Sequence, residues 1–312
     1  VSGLEADVNK AMGNDGFFYG RLGSEIIRYT GYTGSAGVWS LTGVVRGALE
    51  TTADEHSIDD GMQCVGHYSD ILYWQMVYDL LSNHTTIPAS LIPYATDWTS
   101  EGESWLSTLA GTGTFTESRP VSEICAEAMR DGMFSIWWDD RAQEIKMLAN
   151  RQPGAVSQTL TERNAIAASA IKRMPDDRRT RVTIYYDRRD PTESLTESRN
   201  YRKQRIRIDA ETEGSFFADG TVRNLIWYSP LLRTDLNAIL VQASFLQRYR
   251  ETPRYLDLTL AFKDADLSIG DIIYVESHDE IDTLGNPKTE AWQVIEWEEL
   301  DPGFSYRVLV QS

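Results

Sequence analysis

Apolar residues recur at helical spacing in Val121, Ile124, Cys125, Ala128 and Met129, which places five side chains on one face of a helix. Pro120 and Ser122 supply its start signals, and Gly132 stands where a left-handed residue closes a helix without a Cβ penalty. The period then switches to two. Phe134, Ile136 and Trp138 alternate with Ser135 and Trp137, and Asp139 to Gln143 turn the chain into Ile145 and Met147. Pro120 to Leu148 therefore predicts a helix feeding a hairpin, with Trp138 packed in the core. A second helix is predicted over Leu232 to Tyr249, with Leu236, Ile239, Leu240, Ala243 and Leu246 on its apolar face and Pro253 as its stop. Ser69 to Ser82 is apolar nearly all round, apart from a stripe of Gln75, Asp79 and Ser82. That pattern predicts a largely buried helix.

The flanking stretches read mostly as strands. Phe17 to Cys64 holds short strand-like runs broken by glycines, which implies a small β module with hairpin turns. Pro93 to Thr116 reads as a loop anchored by Trp98 and Trp105, and Thr161 to Ala170 as a short helix. Thr180 to Asp187 and Arg202 to Ala210 are predicted strands. Four more follow at Leu256 to Phe262, Ile272 to Ser277, Ala291 to Leu300 and Tyr306 to Gln311. The predicted class is α+β, mainly β, built from several small β-barrel or sandwich modules with a few packed helices. The expected divisions are a Gly-rich β module at 1–67, an α+β domain around the helix and hairpin at 68–205, and a helix plus β-barrel domain at 206–312.

A chain of 312 residues exceeds the usual single domain, and its 41% hydrophobic content with nine tryptophans excludes a disordered protein. Two cysteines, Cys64 and Cys125, make no disulfide framework and read as packed thiols. No stretch approaches the roughly 18 apolar residues of a membrane span. The start at Val1 without methionine points to a chain processed or cut from something longer.

The net charge of −17 argues against general nucleic-acid binding, but it is spread unevenly. From Arg163 to Arg207 there are 13 Lys plus Arg against 6 Asp plus Glu, a balance of +7, whereas Arg254 to Ser312 holds 4 against 13, a balance of −9. In the basic run Arg178, Arg179, Arg181, Arg188 and Arg189 are interleaved with Asp176, Asp177, Asp187 and Asp190. Alternating signs favour salt-bridged protein contacts over a nucleic-acid groove, so these arginines are the candidate interface residues.

Catalytic signals are sparse. Trp137-Trp138-Asp139-Asp140 sets paired carboxylates beside aromatic rings, as glycoside hydrolases do around a sugar. Turn chemistry and strand propensity already account for each of these residues. His56, His67, His84 and His278 show no metal-ligand spacing, and no phosphate-binding glycine pattern or nucleophile elbow is present. No cofactor is expected and no enzyme is called for.

Two stretches carry a family resemblance. Leu22 to Gly31, LGSEIIRYTG, followed by Leu41 to Gly47, LTGVVRG, resembles a strand pair leading to an R-G-x-x-G-T-x-A-x-x-H run, matched by Arg46, Gly47, Thr51, Ala53 and His56. Glu50 replaces that run's second glycine, and Gly61 comes later than its closing glycine. The proline-led helix and the hairpin at Trp137, Trp138, Asp139 and Arg141, ending at Arg151-Gln152-Pro153, are similar to a second feature of the same family. That family is the hub and tip-attachment proteins of bacteriophage tails, including those of lambda-like siphophages and the baseplate hubs of contractile phages.

The resemblance implies a structural protein of the virion tail tip, a homotrimer that closes or continues the tail tube. Its partners would be the distal tail protein, the tape measure protein and tail fibres, with DNA passing through without specific binding. On that footing the acidic C-terminal region acquires a use, because a channel lined with carboxylates keeps phosphate from adhering. Asp264, Asp266, Asp271 and Glu276, around the turn at Gly270, are the expected channel-rim residues. The competing classes are a tail-associated cell-wall hydrolase using carboxylates such as Asp139 and a carbohydrate-binding module using exposed tryptophans.

Overall fold

The structure, a computed structural model, describes residues 14–35, 38–57, 60–150, 156–161, 164–216, 222–261, 263, 267–281, 283–301 and 303–312. The first half of the chain forms β1 (Phe18–Leu22), β2 (Glu25–Tyr29), β3 (Gly31–Ser35), β4 (Val38–Thr42), β5 (Met62–Leu72), α1 (Tyr73–His84), α2 (Thr99–Trp105), β6 (Ala110–Phe115), α3 (Val121–Gly132), β7 (Phe134–Asp139) and β8 (Glu144–Ala149). The second half forms β9 (Val156–Leu160), β10 (Ala165–Ala168), β11 (Lys172–Arg173), β12 (Arg181–Arg188), β13 (Tyr201–Ile208), α4 (Ala210–Phe216), β14 (Asn224–Tyr228), α5 (Asp235–Tyr249), β15 (Arg254–Ala261), β16 (Ile272–Ile281), β17 (Pro287–Asp301) and β18 (Ser305–Gln311). The fold is mainly β, with several small sheets and a few helices, and among the described residues none of the sheets closes into a barrel.

The chain divides into two compact units, one of residues 1–150, 182–208 and 225–244, the other of 151–181, 209–224 and 245–312. The first unit holds a sheet of order β2-β1-β5-β6, the separate two-stranded hairpins β3-β4 and β7-β8, and a separate sheet of order β13-β12-β14. Strand β5 runs directly into α1, so only the second part of Ser69 to Ser82 is helical. Its expected burial holds. Tyr73, Trp74, Met76, Val77, Leu80 and Leu81 are buried, while Gln75, Asp79 and Ser82 lie on the less buried stripe.

Helix α3 buries Ile124, Cys125 and Ala128, as the spacing predicts. Its closing residue differs from the expectation. Met133, not Gly132, takes the left-handed conformation, at φ 55° and ψ 49°. Gly132 is needed for space, since a Cβ there would come within 2.6 Å of Tyr73 Cβ and 2.7 Å of the Phe134 ring. The hairpin beyond it has the expected register, with Phe134 opposite Ala149 and Trp138 opposite Ile145. Burial fades along it. Phe134 is 2% exposed and Trp138 is 43% exposed, which corrects the core placement of Trp138: its indole N–H is turned to Asp140 in the exposed turn rather than into the core.

Two other local expectations are corrected. Pro93 to Thr116 is not a loop but a π-turn at Tyr94–Trp98, then α2 and β6. Trp98 anchors it, fully buried, and donates from Nε1 to Ile145 O at 2.8 Å, whereas Trp105 is exposed. Thr161 to Ala170 supplies strand β10 rather than a helix, because it pairs with β15. Helix α5 begins later than expected, and its inward face is rotated: Asn237, Ala238, Val241 and Gln242 are buried together with the expected Leu246, Ile239, Leu240 and Ala243 are half-buried, and Leu236 is exposed. Polar residues occupy that face because their amides have acceptors there. Gln242 Nε2 donates to Val182 O and Arg205 O, each at 2.9 Å, and Asn237 Nδ2 to Ala110 O at 2.7 Å.

In the second unit β16, β17 and β18 form an antiparallel meander, β15 pairs antiparallel with β18, and the sheet order is β10-β15-β18-β17-β16-β9. Strand β9 joins in parallel to β16. The predicted alternation gives one apolar face, on which Leu256, Leu258 and Leu260 pack with Ile273, Val275, Trp292, Val294, Val308 and Val310. The described strands form an open sheet, which replaces the expected barrel.

Candidate functional site

Glu25 is the centre of the most heavily bonded polar cluster in the first unit. It opens β2 with its side chain inward and is fully buried. Its Oε1 accepts from Arg46 Nε at 2.6 Å and from Gly47 N at 2.8 Å. Its Oε2 accepts from Arg46 Nη2 at 2.5 Å and Asp54 N at 3.0 Å, and pairs with His56 Nε2 at 2.8 Å. The bidentate arginine and the backbone donors hold the carboxyl far below the usual carboxylate range, Arg46 contributing most. Arg46 Nη2 also donates to Asp54 O, and His56 Nδ1 lies 3.4 Å from Asp60.

The rest of the run completes the fold of this loop. Thr51 Oγ1 accepts from Ile26 N at 2.9 Å and donates to Ala48 O at 2.8 Å, tying the loop to β2 beside Glu25. Gly47 is left-handed at φ 60°, and a Cβ there would come within 2.9 Å of Thr51 O. Glu50, which stands where the resembled run has glycine, is also left-handed, at φ 67°. Its carboxylate pairs with Arg202. Residues 46 to 56 thus wrap one buried acid, and their polar groups are used in holding the loop rather than in presenting a reactive atom.

The five candidate arginines fall in different units. Arg178, Arg179 and Arg181 belong to the second and Arg188 and Arg189 to the first. Arg178 donates from Nε to Arg250 O at 2.8 Å, Arg179 from Nη1 to Asp176 O and Arg178 O, and Arg181 pairs with Glu213 at 3.2 Å. Arg188 is buried and donates from Nη2 to Pro191 O at 3.0 Å and to Glu193 O, and burial pushes its pKa down. Arg189 is exposed.

Of the expected rim residues, Asp264 and Asp266 lie outside the described residues. Asp271 accepts Ser268 N at 2.7 Å and so caps the turn into β16, and Glu276 lies half-buried on that strand. In the hairpin Asp139 Oδ1 accepts from Arg141 N at 2.9 Å and Ala142 N at 3.1 Å, and Asp140 Oδ1 from Trp138 Nε1 at 2.7 Å. Both aspartates serve the turn, as their sequence context predicts.

Asp131, near the end of α3, is a second buried acid. It accepts a hydrogen bond from Ser229 Oγ, and burial pushes its pKa up to about 6. Neither Glu25 nor Asp131 is legible as special in the sequence. Glu25 lies 21 residues from Arg46, and no local pattern joins them. The one available signal is the run itself, since an arginine, a histidine and a left-handed glycine in one loop call for an anion to gather round. Among the described residues no group of three or more His, Cys, Asp or Glu is placed to hold a metal ion, and no helix is long and apolar enough to cross a membrane.

No family model matches the chain, and no curated protein matches it in sequence. Among solved structures, the virion of a native gene transfer agent particle contains a chain similar over 64% of this one, at 14% identity and a TM-score of 0.44. This chain spans 41% of that chain's length. The 43 kDa tail protein of prophage MuSo2 from Shewanella oneidensis is similar over 94% of this chain and 93% of its own, at 14% identity and a TM-score of 0.44. A tail protein from Neisseria meningitidis MC58 is similar over 94% of this chain and 79% of its own, at 12% identity and a TM-score of 0.45.

Proposed function

We propose that this chain is a structural subunit of a bacteriophage tail, acting at the tip in a hub that closes or continues the tail tube. The observation that carries this reading is the loop on Glu25. The same run that carries the resemblance to tail hub and tip-attachment proteins, Arg46 to His56, spends its arginine, backbone N–H groups and histidine on one buried carboxylate. That is an architectural use of polar residues, and it fixes the loop between the strands of the small β module.

In this reading three copies form a ring joined to the distal tail protein, the tape measure protein and fibres. Asp271 and Glu276 would face an axial channel, where carboxylates repel passing phosphate. Light-scattering mass measurement and negative-stain micrographs of the purified chain test it. A trimeric ring with an axial hole is expected. A monomer that releases soluble fragments from purified peptidoglycan would overturn the reading.

One observation favours a second reading, a glycan-binding surface. Trp138 is exposed, and Asp140 fixes its ring through the indole N–H, as a sugar-stacking platform requires. Glycan binding by the wild-type chain that disappears in Trp138→Ala, without loss of fold, would support it over the first.

A further inference from the structure

The two edges of the hairpin β7-β8 are finished differently. Asn150 N donates to Met133 O at 2.7 Å, and Phe134 stands opposite Ala149. By the alternation of an antiparallel pair, Ile136 and Trp138 on β7, and Ile145, Met147 and Ala149 on β8, turn their main-chain groups away from the partner strand. On β8 that edge is capped: Ile145 O accepts the Trp98 indole N–H at 2.8 Å, and Ala149 N donates to Glu101 Oε1 at 3.1 Å. On β7 it is open. Among the described residues β7 pairs with β8 alone, and none bonds the outward main chain of Ile136 or Trp138. An apolar edge without a charge of its own to blunt it is a template for another strand.

The same unit holds a second open edge, because β13 ends the sheet of order β13-β12-β14. Tyr185 O accepts from Ser229 N at 2.9 Å on the β14 side, so its neighbour Ile184 bonds toward β13. Gln204 shares the face of Tyr185, since its amide donates to Tyr185 Oη at 3.1 Å. Gln204, Ile206 and Ile208 are therefore the residues whose main-chain groups point outward, and Ile206 and Ile208 are 52% and 47% exposed. The two edges are complementary. Antiparallel pairing that sets Trp138 beside Ile206 also sets Ile136 beside Ile208 on that face, and on the other it sets Asp139 beside Arg205 and Trp137 beside Arg207. Arg205 and Arg207 make no ion pair among the described residues, and Asp139 accepts through Oδ1 only, so both charges are available. Pairing of β13 with itself would instead set its own cations against one another.

We propose that β7 of one copy of this chain takes β13 of the next copy as an added antiparallel strand. The contact joins two different edges, so it is heterologous and repeats from copy to copy around a closed ring. This inference rests on the ring of three copies proposed above and names the edges that join it.

Light-scattering mass of the full chain, with circular dichroism as the check on folding, tests it. Ile136→Pro removes an outward N–H of β7 without removing a bond to β8, a strand setting in which proline is tolerated. It is expected to lower the mass from that of the ring to that of a single chain at a concentration where the wild type is a ring. A second variant, Trp138→Cys with Ile206→Cys, replaces two exposed side chains. A short bis-maleimide is expected to join its chains to one another, and to join none when either substitution is made alone. An Ile136→Pro chain that stays folded and trimeric, or a trimeric doubly substituted chain that does not cross-link, would overturn the inference and leave the ring standing. Cross-linking by Trp138→Cys alone would mean that β7 pairs with its own copy, which overturns the inference too. A monomeric wild type would overturn the ring and this contact together.

Discussion

Glu25 and Asp131 are both buried acids, yet their linkage to pH has opposite sign. The carboxyl of Glu25 is held below its ordinary value of 4.5, chiefly by Arg46. A depressed folded value contributes stability that is present above about pH 4.5 and lost as pH falls from there toward the folded value. Asp131 is pushed by burial from 3.8 up to about 6, so the stability it contributes is complete below 3.8 and is lost as pH rises through about 6. Denaturant titrations at about pH 3, 5 and 8 separate the two. Glu25→Gln should flatten the acid limb of the stability curve, and Asp131→Asn should gain on the wild type between pH 5 and 8. Glu25→Ala should cost about 2 to 4 kcal/mol near neutrality, because the backbone donors of Gly47 and Asp54 lose their acceptor. A wild-type stability that keeps rising from pH 5 to 8 relative to Asp131→Asn would contradict the assigned sign. Glu50 gives a second residue-scale test. At φ 67° a Cβ is strained, so Glu50→Gly should be more stable than Glu50→Ala by about 1 kcal/mol. Both variants lose the pair with Arg202, so that pair cancels in the comparison. Equal melting temperatures would mean that the loop relaxes without its left-handed turn.

At the scale of elements, helix α3 and its neighbours depend on a close approach at Gly132. Helix propensity alone favours alanine there by about 1 kcal/mol. The added Cβ would sit 2.6 Å from Tyr73 Cβ and 2.7 Å from the Phe134 ring, neither of which is the free end of a flexible chain. Overpacking of this kind costs about 1 to 3 kcal/mol, so Gly132→Ala should lower stability despite the better helix former. A neutral or stabilising result in thermal unfolding would show that α1 can shift. The same position explains what the sequence could and could not reveal. The apolar spacing from Val121 to Met129 and the alternation from Leu256 to Leu260 identified α3 and β15, because each buries one continuous face. The apolar spacing reveals helix α5 and the burial of Leu246, but not the rest of its inward face, since amides such as Gln242 pack inward only where distant carbonyls await them. Strand β10 was unreadable for a similar reason. Its partner β15 lies about ninety residues further along, and nothing in its own composition reports that pairing. An alternating tryptophan reads as core, but Trp138 is exposed and its indole N–H donates to Asp140 in the turn, a contact that alternation alone does not report. Of the candidate site, the loop residues Arg46, Gly47, Thr51 and His56 were visible as a run, whereas the acid they enclose was not.

At the scale of the whole molecule, charge decides how the chain meets nucleic acid. The basic stretch carries a local excess of +7 in a chain of net charge −17, which by itself leaves duplex binding open. The structure reduces that capacity, because several of the cations in and beside this stretch are paired with carboxylates of their own unit. Arg181 pairs with Glu213, Arg202 with Glu50 and Asp187, Lys203 with Asp235 and Arg223 with Asp176. In the C-terminal sheet Arg254 pairs with Glu290, and Arg307 with Asp257, Glu296 and Glu298. An arginine already facing a carboxylate can reach a phosphate only by releasing it, so few counterions would be displaced from DNA on contact. Affinity for a random duplex should therefore be weaker than about 10⁻⁴ M at physiological salt, the weak end of non-specific binding, with a shallow salt dependence. Fluorescence anisotropy of a labelled duplex across a salt series measures both quantities. A dissociation constant in the micromolar range, falling steeply as salt is lowered, would mean that these ion pairs open in solution and that the basic stretch is a nucleic-acid surface after all.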